Sequence, residues 1–429
     1  MQDDTTDTTE ELEAKYGLPH EIIYCRRCNM SNQRPTSVVE YKHTMESKKV
    51  TLVIDEEGVC DACRVADDKA TIDWDERHRE LEDLCDRHRR TDGRFDCIVP
   101  GSGGKDSFFQ SHVLKFKYGM HPLTVTWSPH IYTDWGWRNF QRWIHAGFDN
   151  ILTTPNGRVH RLLTRLATEN LYHPFQPFII GQKAMAPRQS ASYDIPLIFY
   201  GESEAEYGNA RAEMDSAVRD WEYFTNQDAT DIYFGGVSVS QLLEDYGLNK
   251  NDLESYMPAN PEDLKRVGTE VHYLGYYMKW HPQGAYYYAQ EHGGFEAAPE
   301  RTAGTYSKYS GIDDKVDDFH FFTSHLKFGL GRASYDSSQE IRSGDITTEE
   351  GAALIRRFDG EYPERFSKEV FEYLSVPEKE FPVASKMFET PIVTRESFDA
   401  LGDTFRSPHL WKFENGAWAL RKPVWHDDV

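Results

Sequence analysis

Short apolar runs and amphipathic stretches alternate along the middle of the chain. Residues 95–100, "FDCIVP", read as a strand, and 107–117 carry helical spacing. "PLTVTWS" (122–128) reads as a strand, "TDWGWRNFQRWIHAGF" (133–148) as a helix and "NILTTP" (150–155) as a short strand. "GRVHRLLTRLATENLY" (157–172) is helical in pattern, while "IPLIFYGES" (195–203) and "VHYLGYYMKW" (271–280) read as strands. This alternation predicts an α/β fold with a doubly wound, mostly parallel sheet. Ligands of such sheets sit beyond the carboxyl ends of the strands, where residues 102–107, Ser128 and Glu202 would lie. Upstream, 71–90 is an amphipathic helix with Trp74, Leu81 and Leu84 on its inner side. Downstream, 341–363 reads as helical, with Thr347 or Thr348 capping and Glu350 near the first turn. The tail 411–425 is expected to fold back on the body. The divisions that follow are an acidic, disordered start (1–20), a cysteine module (21–70), a linker helix (71–92), the α/β domain (93–335) and a helical extension (336–429).

With 429 residues there is ample chain for several domains and a full core. A formal charge of −23 argues against a broad nucleic-acid surface, though a local basic pocket is compatible with it. No run approaches the length of a membrane-spanning helix, and the first residues lack the basic and apolar regions of a signal peptide. A cytoplasmic location without membrane contact is the expectation.

After the strand at 95–100 comes Gly101-Ser102-Gly103-Gly104-Lys105-Asp106-Ser107. A Walker A loop would need glycine at Val99 and Ser or Thr at Asp106; a dinucleotide-binding turn would need glycine at Asp106. Neither fits. The run resembles instead the PP-loop of the ATP-pyrophosphatase superfamily, whose members cleave ATP between its α and β phosphates. Glycines let backbone N–H groups approach a ligand, and the next helix offers its positive end to phosphate. Ser102, Lys105 and Ser107 add donors, and Asp106 could hold Mg²⁺. The alternative is a turn without a ligand.

All six cysteines precede residue 98. Cys25-x2-Cys28 and Cys60-x2-Cys63 supply four thiolates suited to a tetrahedral structural Zn²⁺, with a hairpin expected across the intervening segment. Two redox pairs, an iron–sulfur cluster or reduced thiols are the alternatives. Cys85 and Cys97 read as lone reduced thiols.

Elsewhere, Trp127, Trp135, Trp137 and Trp143 are expected mostly in the core, and His281 in a structural role. Glu202, Glu204 and Glu206 are either Mg²⁺ ligands or a solvated loop. In 305–334, Lys327 and Arg332 flank Phe328-Gly329-Leu330-Gly331, where glycines would bring backbone to a ligand; both cations are expected on phosphate. Lys315, among Asp313, Asp314, Asp317 and Asp318, reads as part of a surface helix with i,i+4 ion pairs.

The paired cysteines with "DEEGVCDAC", then "PGSGGKDS", "FYGESEAEYG", "LGYYMKWHPQ", "SKYSGIDDKVDDFHF", "KFGLGRAS" and "EIRSGDITTEEGAALIRRFDGEYP" occur in this order over about residues 24–365. The set resembles the N-acetyl sugar amidotransferase family, which includes enzymes of pseudaminic-acid and lipopolysaccharide O-antigen biosynthesis. The resemblance implies ATP-dependent conversion of an acetamido group on a sugar or nucleotide sugar to an acetamidino group, through an O-adenylyl intermediate, with AMP and pyrophosphate released. It implies ATP and Mg²⁺ on Ser102, Gly103, Gly104, Lys105, Asp106, Ser107 and Glu202, with Lys105, Asp106, Lys327 and Arg332 catalytic, and Zn²⁺ on Cys25, Cys28, Cys60 and Cys63. Neither Met1-Gln2 nor the paired cysteines offer a glutaminase nucleophile, so ammonia is expected free or from a separate glutaminase subunit, of the imidazole-glycerol-phosphate-synthase type by resemblance. A tRNA-modifying, thiolation-type enzyme is the second reading, disfavoured by the absence of cysteines after Cys97; a non-catalytic nucleotide-binding partner is the third.

Overall fold

A computed structural model of the protein describes residues 12–201, 203–226 and 231–424. Its centre is a six-stranded sheet of β1 (Cys97–Pro100), β2 (Pro122–Trp127), β3 (Asp149–Thr153), β4 (Leu197–Tyr200), β5 (Val218–Arg219) and β6 (Glu270–Tyr273), in the order β3-β2-β1-β4-β6-β5. Every neighbouring pair is parallel except β5 with β6. Alternate side chains serve two cores, as the period of a strand requires. Ile98, Leu123, Val125 and Ile198 pack with the helices Gly157–Leu171 and Gln176–Tyr193, while Cys97, Val99, Leu197 and Phe199 pack with Trp74–His88 and the segment after β1. The mostly parallel α/β sheet read from the sequence is therefore present.

The chain runs from β1 through β2 to β3 on one side, then returns to place β4 on β1's other side. That reversal opens a crevice at the carboxyl ends of β1 and β4. The Ser102–Ser107 loop leaves β1 there.

Several local readings change. The strand expected over 271–280 stops at Tyr273 and becomes a helical turn, Leu274–Tyr277, which buries Leu274 and Tyr277 beneath β4. The hairpin expected between the cysteine pairs is a loop with one Pro35–Thr51 bridge and a helical turn at Glu40–Lys42. Pro35 has no N–H to extend a ladder, and Tyr41 inserts into the main core. In 341–363 the cap read at Thr347 is present, as a capping box with Glu350 that starts Thr348–Phe358, but Ile341–Ser343 before it closes a separate helix, Arg332–Ser343, which ends at Gly344 with φ +82°. The Gln176–Tyr193 helix gave no amphipathic signal because it is buried around much of its circumference.

Trp127 and Trp143 are buried and Trp135 half-buried, but Trp137 is 43% exposed. His281 caps the Pro282–Gly293 helix, its Nδ1 accepting from Gly284 N–H at 2.8 Å. The tail folds back as a hairpin, Trp411–Glu414 with Ala417–Leu420, and Trp411 donates to the Leu326 carbonyl. No helix among the described residues is long and apolar enough to cross a membrane.

Candidate functional site

The loop after β1 is held from below and left open above. Gly101 N–H donates to the Val125 carbonyl, anchoring the loop to β2. Ser107 Oγ accepts from Gly103 N–H at 3.2 Å and donates to the Gly104 carbonyl at 3.1 Å, so Ser107 shapes the loop from within. A Cβ on Gly101 would meet Ser107 Cβ at 2.2 Å; one on Gly103, with φ +84°, would meet Phe140 Cα at 2.6 Å. Packing explains both glycines. Gly104 is different: a Cβ there would meet only Ser102 Oγ, at 3.7 Å. It caps the Lys105–His112 helix without any side-chain cap bond, leaving N–H groups of the first turn turned toward open space.

That space is a cavity of about 170 Å³ lined by Ser102, Gly103, Gly104, Lys105, Asp106, Asp313 and Arg332, among others. Lys105 Nζ lies 2.6 and 2.7 Å from the carboxylate oxygens of Asp106, so these two expected site residues are paired with each other. A second cavity of about 460 Å³ adjoins the first and shares Lys105, Asp106, Tyr309, Ser310 and Arg332 with it. Its far walls come from the segment between the cysteine pairs (Arg34, Glu40, His43, Lys49) and from the helices Asp317–Phe328 and Arg332–Ser343.

Lys327 and Arg332 both line this larger cavity. Lys327 is 4% exposed, donates to the Leu171 carbonyl at 2.7 Å and lies against the rings of Tyr16, Phe328 and Phe405. Burial, with Lys49 nearby, brings its ammonium down to about 7. Arg332 pairs with Asp336 at 3.2 Å and Asp317 at 3.4 Å.

The glycines between these two cations have other work. Gly329, with φ +72°, ends one helix in the left-handed conformation, and Gly331 starts the next. Asp359 fills that helix start: its carboxylate accepts from Gly331 N–H (2.9 Å), Ser334 N–H (3.2 Å) and Ser334 Oγ (2.5 Å). Phe328-Gly329-Leu330-Gly331 is thus a helix-to-helix turn closed by the protein's own anion, not a place where backbone meets a ligand.

The aspartates after Gly311 overturn the surface-helix reading. Ile312, Val316 and Phe319 are buried and pull the segment inward. Asp314 accepts from His130 Nδ1 at 2.6 Å and from His130 N–H, tying the segment to the loop after β2. Burial raises the carboxyls of Asp317 and Asp318 to about 7, against the pull of Arg332 and Arg365 respectively. Lys315 lies in the turn before the Asp317–Phe328 helix and reaches Glu369 at 3.4 Å rather than one of the neighbouring aspartates. Glu202 lies outside the described residues. Glu204 is bound to Lys183 and Arg219, and Glu206 to Lys69.

The four cysteines converge as their spacing implied. All four are buried, and their sulfurs lie within 4.8 Å of one another. Cys28 sits 3.5 Å from Cys60, and Cys25 sits 3.8 Å from Cys63. Asn29, with φ +65°, turns the first pair; the second pair sits on the start of the Asp61–Ala70 helix, whose positive end favours thiolates. Bonds from Cys28, Cys60 and Cys63 hold the Cys25 thiol well below its usual range. The arrangement can hold one metal ion, and tetrahedral four-thiolate sites suit zinc. It is locked to the cavity wall: Ser338 Oγ donates to the Cys28 carbonyl, and Asn29 Nδ2 to the Thr348 carbonyl.

Residues 303–424 match the family model described as "LPS biosynthesis protein WbpG-like, C-terminal domain". The matched segment contains Asp313, Asp317, Lys327, Arg332 and Asp359, but neither the Ser102–Ser107 loop nor the four cysteines. Among curated proteins, none matches the chain.

Proposed function

We propose that the protein is a biosynthetic enzyme of sugar or glycan assembly that uses ATP and ammonia to convert an acetamido group of a sugar, or nucleotide-linked sugar, to an acetamidino group. The observation that carries this reading is the pair of adjoining cavities. The small one, at the open Gly104 helix start, suits a polyphosphate; the large one, continuous with it through Lys105, Asp106 and Arg332, suits a second substrate of sugar-nucleotide size. The likeness of the C-terminal part to a lipopolysaccharide-biosynthesis family supports the choice of a sugar.

An amide oxygen is a poor leaving group, so it must first be activated. In the proposed reaction it attacks the α-phosphorus of ATP, and the bond from that phosphorus to the bridging oxygen breaks. Ammonia then adds to the imidate carbon, and AMP departs with the former amide oxygen. Ser102, Gly103 and Gly104 would donate to the departing pyrophosphate. Lys105, leaving Asp106, would neutralise charge on it, with Arg332 acting from the shared wall and Lys327 from the larger cavity. Asp106, so released, would hold a Mg²⁺, which supplies further neutralisation of phosphate charge. Ser107 would keep the loop in shape. Catalysis of this kind is mainly positioning and electrostatics. We further propose that a separate glutaminase or free ammonium supplies the nitrogen, and that the four cysteines hold Zn²⁺ as a structural brace for the cavity wall.

The test is pyrophosphate release with ATP, Mg²⁺ and ammonium, with acetamido nucleotide sugars or bulk tRNA as acceptor. Release that needs both a sugar and ammonium, with the sugar's mass changed by replacement of O with NH, is expected. Release with tRNA alone would overturn the reading.

A further inference from the structure

The second half of the proposed reaction needs a base. Ammonia that adds to the imidate carbon becomes an –NH₃⁺ group, which has no lone pair with which to displace AMP. One N–H bond must therefore break before the C–O bond does. Most carboxylates lining the larger cavity are already engaged. Asp106 is paired with Lys105, Glu204 with Lys183 and Arg219, and Asp336 with Arg332, while Glu340 accepts from Tyr306.

His173 is placed differently. It follows Tyr172, which ends the Gly157–Leu171 helix in the left-handed conformation at φ +48°, its ring stacked 5.0 Å from that of Phe405. His173 lines the cavity, and its Nε2 lies 3.7 Å from Glu40 Oε1; Glu40 Oε2 lies 3.2 Å from His43 Nδ1. The His320 ring stacks on that of His173 at 4.9 Å. The carboxylate favours the tautomer with hydrogen on Nε2, which leaves a lone pair on Nδ1. Nδ1 meets no donor or acceptor among the described residues and stays accessible on a ring that lines the cavity. The groups facing the pair are His43 and Lys49 from the segment between the cysteine pairs, and His320 and Lys327 from the Asp317–Phe328 helix. Burial lowers the His173 imidazole below its ordinary 6.5, against the pull of Glu40, so it enters the reaction neutral. Burial also opposes charge on Glu40, yet His173, His43 and Lys49 hold its carboxyl well below the ordinary range.

We propose that His173, oriented by Glu40, is the general base of the amination step. This rests on the reading of the larger cavity as the acceptor's site. As nitrogen bonds to the imidate carbon, one N–H bond breaks and its proton passes to His173 Nδ1. The electron pair left on nitrogen forms the C–N double bond, and the pair of the breaking C–O bond leaves with AMP. Glu40 stays ionised beside the imidazolium, which gives its proton to solvent before the next turnover. Glu40 is thus a positioning residue. Lys327 keeps its charge-neutralising role, its ammonium donating to the Leu171 carbonyl. The segment between the cysteine pairs takes part in catalysis through the carboxylate that orients the base.

Paired rates measured on one sample test the assignment, with UDP-N-acetylglucosamine and a UDP-linked diacetamido sugar as acceptors. Exchange of labelled pyrophosphate into ATP without ammonium reports adenylylation alone; amidino-sugar formation with ammonium reports the whole reaction. His173→Gln is expected to keep the exchange and to lose about 10²- to 10³-fold in amidino-sugar formation. Glu40→Gln should lower the same ratio by less. Because both rates scale with the folded fraction, their ratio holds even for a variant that folds poorly. At fixed free ammonia, His173→Gln should gain rate between about pH 7 and 9 as hydroxide replaces the base, while the wild type stays level. A His173→Gln protein that loses both rates equally, or neither, overturns the proposal. So does a Lys327→Gln protein that shows the same ratio and the same pH slope. Absence of both rates in the wild type with either acceptor would overturn the proposed reaction and the base with it; an unaltered ratio in His173→Gln would overturn the base alone.

Discussion

Among the described residues, two helices have glycine at the capping position just before their first turn, and they show what such a start is for. At Gly331 the exposed N–H groups and positive end of the Arg332–Ser343 helix are met by Asp359, a carboxylate the chain itself supplies. At Gly104 no side chain caps the Lys105–His112 helix, and its first turn faces a cavity. Both sequences place Gly just before a cation, Gly104-Lys105 and Gly331-Arg332, and look alike as strings. The difference lies in what the rest of the fold brings to the helix start. One is a closed structural joint; the other is an open helix start facing a cavity, the place proposed above for phosphate.

Substitutions at each end separate the two roles. The largest effect is expected for Lys105→Ala, which should lower the rate of pyrophosphate release about 10²–10³-fold, equivalent to about 2.7–4 kcal/mol, with little change in melting temperature. Asp359→Ala should do the opposite. Removing its carboxylate strands the Gly331 and Ser334 donors, costing about 2–3 kcal/mol of stability, and the opened helix start should make the variant's melting temperature rise with added phosphate. Gly104→Ala should leave stability unchanged, since its Cβ meets no atom closer than 3.7 Å, while ATP binding measured by calorimetry weakens about 10-fold. Gly103→Ala, forced against Phe140 at positive φ, should lose stability as well.

The smallest effect concerns the aspartates between the two helix starts. Burial holds Asp318 at about 7, above the ordinary value of 3.8, and its nearest cation is Arg365 at 3.7 Å. Stability from this group is complete below its unfolded value and is lost as pH rises through about 7. Asp318→Asn should therefore melt roughly 2 °C higher than wild type at pH 8, with the advantage shrinking as pH falls toward 4. Thermal scans across that range check it.

Local chemistry was legible in the sequence. The glycine loop and the two cysteine pairs declare themselves because their spacing alone brings the groups together. The strands β1 to β4 were legible for a similar reason, being short apolar runs between helical patterns. What escaped depends on long-range packing. Arg34, Glu40, His43 and Lys49 sit in a stretch with no periodic signal, and only the closing of the C-terminal helices over it makes them a cavity wall. Asp317 and Asp318 looked solvated because acidic pairs usually are. No local spacing announces their burial, which comes from Arg332 and Arg365, distant in sequence, closing over them. At Gly331 the misleading feature was the glycine itself, since Asp359 lies 28 residues away in sequence.

The chemistry proposed for the open helix start is tested most directly by the fate of the amide oxygen. An acceptor sugar carrying ¹⁸O in its acetamido carbonyl, incubated with the protein, ATP, Mg²⁺ and ammonium, should yield an acetamidino sugar and AMP that carries the label. Label found in pyrophosphate or inorganic phosphate, or retained in the sugar, would contradict activation through the α-phosphate and with it the role assigned to Gly104 and Lys105.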